Sequence, residues 1–146
     1  MFSMALMSST WAGDGAALFT QNCALCHQSG GAGLPGQFPR LAGRVSMISG
    51  QASGRSYLID VLTYGLSGTV TVDDQEIIGV MPPFGTLSDE AVADILNYVQ
   101  GLGDHPAKAP KVFSAPEVAA GRAKTAKSPD EVQSERQELK RAKVIP

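Results

Sequence analysis

The apolar positions of this chain fall into a few short helical stripes, separated by glycine-rich and proline-rich breaks. Asp14–Asn22 reads as a short helix, with the Asp14 carboxylate at its positive end and an apolar side made by Leu18 and Phe19. From Gln28 to Gly36, four glycines in nine residues (Gly30, Gly31, Gly33 and Gly36) forbid regular structure. Phe38–Gly43 reads as a turn that carries two apolar side chains, Phe38 and Leu41. Between Gly54 and Gly65, Leu58, Val61 and Leu62 stand at i, i+3 and i+4, which predicts a helix with one packed face and Gly65 as its C-cap. Thr69–Val72 alternates, Ile77–Val80 is rich in β-branched residues, and Asp73–Glu76 between them is polar. That pattern fits either a small hairpin or a long ordered loop. The clearest helix opens at Ser88, an N-cap followed by Asp89 and Glu90. Val92, Ile95, Leu96 and Val99 form its stripe, and Gly101 and Gly103 stop it.

Residues 104–116 have the composition of a linker, and residues 117–146 hold few large apolar side chains and no aromatic. A weak repeat runs through this tail: Glu117-Val118 and Arg122 recur fourteen residues later as Glu131-Val132 and Arg136. Two short helices are expected, each behind a proline (Pro116, Pro129), with too little apolar surface for a core of their own. Such a tail packs along the body, packs along a partner or stays mobile. The expected division is therefore residues 1–12 as a signal-peptide remnant or flexible N-terminus, 13–103 as the main domain, and 104–146 as linker and tail.

Composition changes this picture little. A chain of 146 residues with 43% hydrophobic and 18% charged residues suits one soluble domain. A net charge of −2 argues against a nucleic-acid partner, and no apolar run reaches membrane-spanning length.

The chemistry is concentrated in Cys23-Ala24-Leu25-Cys26-His27, which holds both cysteines of the chain. C-x-x-C-H is the attachment signature of a c-type haem: two thiols add across the haem vinyl groups, and the following imidazole binds the iron. A thioredoxin-like couple would need a βαβ setting, a zinc site would need further ligands, and a disulfide closing so short a loop gains little chain entropy. A phosphate loop is a poor reading of the glycines after His27, because no Gly-Lys-Ser/Thr follows and no strand precedes. Pro35 is the candidate whose carbonyl accepts the Nδ1–H of His27. Haem of this kind is fitted outside the cytoplasm, so export to the periplasm is expected. Met1–Ala12 is apolar and ends Thr10-Trp11-Ala12, a tolerable cleavage site, but it lacks a basic start.

The occupant of the sixth coordination place decides the function. A strong-field side chain leaves electron transfer, whereas an open place permits ligand binding or peroxide chemistry in a haem enzyme or sensor. Met81 is the candidate ligand, because Pro82-Pro83 hold its backbone extended and the last apolar helix anchors its loop. Met47, His105 and the N-terminal methionines are weaker candidates. Leu25, Leu34, Phe38, Leu41, Leu58, Leu62 and Phe84 are expected to line the haem pocket, and Arg40, Arg44 and Arg55 are candidates for neutralising its carboxylates.

These residues together resemble the class I c-type cytochromes over about residues 13–103. The resemblance implies an all-α fold of three to four short helices around one covalently bound haem c, with a possible small hairpin and an extended C-terminal tail. It implies a crossing of the first and last helices through Gly15, Phe19 and Tyr98, and a His-orienting proline carbonyl that fits Pro35. The stretches Gly33–Gly43, Tyr57–Leu66 and Met81–Asp89 are similar to cytochrome subunits and domains of quinoprotein dehydrogenases. The implied function is one-electron transfer, not catalysis, with cofactor residues Cys23, Cys26, His27, Pro35 and Met81 and iron ligands His27 and Met81. The implied partner is a periplasmic dehydrogenase, reductase or terminal oxidase.

Overall fold

A computed structural model describes residues 14–104 and 110–146. In chain order the elements are α1 (Gly15–Asn22), α2 (Ala24–His27), a 3-10 turn (Ser29–Gly31), α3 (Val45–Ile48), α4 (Ala52–Tyr64), β1 (Leu66–Val72), β2 (Gln75–Met81), α5 (Asp89–Gln100), α6 (Ala115–Arg122) and α7 (Pro129–Arg141). The chain is mostly helical, as expected, and the possible small hairpin is present as a two-stranded antiparallel sheet. The strands pair from Leu66 with Met81 to Val72 with Gln75. They are longer than the alternation suggested, because Ser67, Gly68, Gln75 and Glu76 carry no apolar signal. Asp73 and Asp74 make the two-residue turn with φ of 51° and 60°. Two positive φ values match the twist of a tight hairpin, and Asp tolerates that region better than most residues.

The stripe of α5 is buried along its length, from Val92 through Ile95 and Leu96 to Val99. Ser88 caps the helix by accepting the Ala91 N–H at 3.1 Å. α5 crosses α1 where both backbones come close. A Cβ added at Gly15 would lie 2.3 Å from the Asp94 carbonyl oxygen and 2.8 Å from Tyr98 Cβ. Beside the crossing, the rings of Phe19 and Tyr98 meet at 5.3 Å between centroids, tilted by 50°.

The chain from Pro110 onward is folded onto this body. Phe113, Val118, Val132 and Ile145 belong to the same buried cluster as Phe19, Leu58, Ile95 and Val99. The fourteen-residue repeat has a physical basis in two helix starts. Ser114 accepts the Glu117 N–H, and Ser128 and Glu131 form a reciprocal capping box. Val118 and Val132, one repeat apart, are both fully buried. Polar anchors replace the missing apolar area. Arg55 on α4 grips Glu117 through two bonds of 2.7 and 2.8 Å, donates to the Lys111 carbonyl and lies 3.8 Å over the Phe113 ring. Asn97 both accepts from the Phe113 N–H and donates to its carbonyl, as a neighbouring strand would. Lys127 bridges Asp60 on α4 and Glu135 on α7.

Two predictions follow from this packing. Gly15→Ala will lower stability by about 1–3 kcal/mol in denaturant unfolding of the haem-loaded protein, although alanine is the better helix former, because the added methyl meets the α5 backbone. Arg55 beside Glu117 holds that carboxyl below its ordinary value of 4.5. A lowered folded-state value means the contribution is present above the unfolded value and is lost as pH falls through the folded one. The stability gap between wild type and Glu117→Gln, about 2 kcal/mol at pH 7, will therefore close below pH 4.5 in thermal unfolding.

Candidate haem site

α1 ends at Cys23, whose N–H still donates to the Phe19 carbonyl at 2.8 Å, and the single turn of α2 carries the chain to His27. Cys23 is buried, Cys26 is half-buried, and both thiols are free. Burial, with Cys26 as a smaller cause, pushes the Cys23 thiol up to about 11, so it stays protonated at neutral pH. No group of three or more His, Cys, Asp or Glu side chains among the described residues is arranged to hold an ion.

His27 is 8% exposed. Its Nδ1 lies 2.9 Å from the carbonyl oxygen of Pro39. With Nδ1–H donating there, Nε2 keeps its lone pair for a metal. Burial holds the ring's basicity below the ordinary histidine value, against the smaller opposite effect of the Pro39 carbonyl. The imidazole is therefore neutral at pH 7, as ligation requires.

The expectation that Pro35 supplies this carbonyl is corrected. Leu34 and Phe38 pair as a small bridge, with Leu34 N–H to Phe38 O at 2.9 Å and Phe38 N–H to Leu34 O at 2.8 Å. Pro35 is exposed in the turn between them. The bridge sends the chain back on itself, and Pro39 arrives beside His27. Gly33 permits the reversal: its φ is +67°, and a Cβ there would lie 2.6 Å from Arg40 N and 2.7 Å from the Phe38 carbonyl oxygen.

Two contiguous cavities open beside His27. The outer one measures about 630 Å³ and is lined by Cys26, Phe38, Val80, Phe84 and others, and the inner one measures about 110 Å³ and is lined by Phe19, Leu58, Leu62, Ile95 and others. Cys23, His27, Pro39, Leu66, Val70 and Met81 line both. The hairpin forms one wall, with Val70, Val72 and Ile77 packed as a second buried cluster.

Met81, the last residue of β2, is half-buried and faces the space that His27 faces. Its backbone is fixed from α4. Gly65 caps that helix at φ +79°, and a Cβ on it would lie 2.5 Å from the Met81 carbonyl oxygen. Phe84 N–H donates to Leu62 O at 2.7 Å, closing the Met81-Pro82-Pro83 loop against the same helix end. Met47 is 47% exposed on α3 and lines neither cavity. His105 and the N-terminal methionines lie outside the described residues.

Of the expected pocket residues, Leu41, Leu58 and Leu62 line the inner cavity, and Leu25, Phe38 and Phe84 line the outer one, but Leu34 lines neither. Arg40 and Arg44 reach the inner cavity. Arg40 makes a bidentate pair with Asp73 at 2.8 and 2.9 Å, and Arg44 is buried with Asp73 at 3.8 Å. Arg55 does not reach the cavity, because α6 takes it. The cation that sequence reasoning missed is Arg136, from α7. Its only signal was the fourteen-residue repeat, which sets it level with Arg122.

The residues present fit a haem. Mainly apolar walls enclose a cavity of ligand size, an imidazole and a thioether border the same space, two thiols stand at its edge, and cations gather at its inner end. Among the described residues no helix is long and apolar enough to cross a membrane.

Comparison with known proteins agrees with this chemistry. Residues 12–99 match a family model described as cytochrome C oxidase, cbb3-type, subunit III. The chain is 45% identical to cytochrome c-552 of Thermus thermophilus over 128 residues, covering 86% of this chain and 96% of that one. It is 40% identical to the fructose dehydrogenase cytochrome subunit of Gluconobacter japonicus over 93 residues, covering 59% of this chain and 18% of that subunit. It is 32% identical to the cytochrome c subunit of a quinone alcohol dehydrogenase of Gluconobacter oxydans over 106 residues, covering 71% of this chain and 21% of that subunit. Near end-to-end alignment with a cytochrome, together with a family match across the whole haem-motif region, places this chain in the cytochrome c family, as an electron-transport protein with covalently bound haem c.

Proposed function

We propose that the chain passes single electrons through a haem joined to Cys23 and Cys26 and held between His27 and Met81. In this reading it serves a periplasmic oxidoreductase, as its cytochrome subunit or dedicated carrier. The observation that carries the proposal is that His27 and Met81 border the same two cavities, each fixed by its own backbone anchor. When bound, the haem supplies an iron that alternates between ferric and ferrous.

The protein's own residues set the conditions for that exchange. His27, neutral and oriented by Pro39, presents Nε2 without rotating. Met81 offers a thioether, which favours the ferrous state relative to a second imidazole. With both side chains anchored, little has to move when the charge changes. Leu58, Leu62, Ile95 and Val99 exclude water from the inner side. Arg40 and Arg44 supply positive charge suited to haem carboxylates. Leu25, Ile78 and Val80 are 90%, 78% and 74% exposed around the outer cavity, so the electron's route to a partner leads past a small apolar rim. Redox encounters of this kind are small and transient.

Service to a dehydrogenase is supported by the named cytochrome subunits of fructose, gluconate and alcohol dehydrogenases among its relatives. The test is the visible spectrum of the haem-loaded protein and of Met81→Ala. The proposal predicts a low-spin ferric spectrum with a weak long-wavelength sulfur-to-iron band, lost in the variant. A high-spin wild type, or a spectrum that the substitution leaves unchanged, would contradict it and favour a haem enzyme or sensor with an open sixth place.

A further inference from the structure

Helix α7 brings a buried cation into the haem cavity. Arg136 is 8% exposed, lines the inner cavity and donates to the Tyr57 hydroxyl at 3.0 Å. Tyr57 is itself buried and neutral at pH 7, since burial pushes its hydroxyl above the ordinary tyrosine value. Arg44 lines the same cavity, is 6% exposed and donates to the Pro146 carbonyl oxygen. Asp73 stands 3.8 Å from Arg44 but is half exposed and is held in the bidentate pair with Arg40. Two buried guanidiniums therefore share one small cavity, with Asp73 at its rim and Glu135 near Tyr57 as the neighbouring carboxylates. Buried charge of this kind is costly unless a counter-charge is present. The carboxylates that a haem carries are that counter-charge by class.

We infer that Arg136 makes α7 a redox-linked clasp: the docking of this helix and the electron affinity of the haem are reciprocally coupled through the charge that Arg136 places in the cavity. The inference rests on haem occupying the cavity but not on Met81 being its ligand. One electron added to a haem iron bound in this cavity would lower by one unit the positive charge that Arg136 faces, and no bond to Arg136 would form or break. Repulsion between the guanidinium and the iron is then smaller in the ferrous protein. By linkage, whatever factor docked α7 contributes to electron affinity, reduction contributes equally to the docking of α7. The small apolar anchoring of the helix makes this coupling visible: α7 buries Val132 fully and packs Leu139 in part against the core, and polar contacts such as Glu135 with Lys127 and Gln133 with the Thr69 carbonyl do the rest.

The test is amide hydrogen exchange of the intact haem-loaded protein, oxidised with ferricyanide and reduced with ascorbate. α6 serves as internal reference, because it packs on the same body but lines neither cavity. The amides of α7 are expected to exchange about fivefold or more faster in the ferric than in the ferrous protein, a larger ratio than in α6. In Arg136→Met the α7 ratio falls to that of α6 and the midpoint potential drops. In Arg136→Lys both stay close to wild type. Equal ratios for α7 and α6 in the wild type, or an α7 ratio unchanged in Arg136→Met, would overturn the inference. Should Arg136→Met not accumulate, the wild-type comparison decides alone. Loss of the Met81 assignment would show in the sulfur-to-iron band and leave this exchange comparison standing.

Discussion

His27 donates through Nδ1 to the Pro39 carbonyl at 2.9 Å, and the elements around it are placed so that this bond is made out of water. α1 and α2 supply the imidazole, and the loop from Gly30 to Leu41 supplies the carbonyl. Burial keeps the ring neutral, and the bond fixes which nitrogen faces the cavity. Neither element is long enough to hold its geometry alone, since α2 is one turn of helix and the loop has only the end of a short 3-10 turn and one bridge. Tertiary packing must fix both. The crossing of α1 and α5 at Gly15 fixes one side, and Gly31, which accepts from Leu41 and Ala42, fixes the other.

The same economy governs the opposite wall. Met81 ends a strand whose partner begins directly after the C-cap of α4, so one glycine, Gly65, both terminates the helix and lets the Met81 backbone approach it. A haem pocket with so few regular elements leaves apolar surface on α4 and α5 uncovered. α6 and α7 cover it. Each contributes one fully buried valine, together worth about 3–6 kcal/mol of burial at the usual scale for such side chains. The arginines do the remaining work in two directions: Arg55 reaches out from α4 to seize α6, while Arg136 reaches in from α7 toward the cavity.

Where side-chain periodicity determines an element, the sequence was legible. The i, i+3, i+4 stripes of α4 and α5 lie where the apolar pattern sets them, because burial of one face decides a helix. C-x-x-C-H is legible for a different reason: its chemistry is local, and three adjacent residues carry it. The orienting carbonyl was not legible. Pro35 and Pro39 are both close in sequence, and only the Leu34–Phe38 bridge, a backbone feature with no composition signal, selects Pro39. The hairpin was half-legible, because Asp73 and Asp74 in the left-handed region do not announce a turn as Asn-Gly would. The tail looked unfit for a core on its own, and its buried side chains join the core of the body. Its valines and arginines have meaning only against the surface they meet, which no local pattern describes.

The central claim is that His27 and Met81 would both ligate the haem iron. X-ray absorption at the iron K-edge of the wild-type haem-loaded protein tests it without any substitution. The account predicts a first shell of five nitrogens and one sulfur in both oxidation states. A first shell with no sulfur scatterer, whether six nitrogen or oxygen atoms or five, would contradict it.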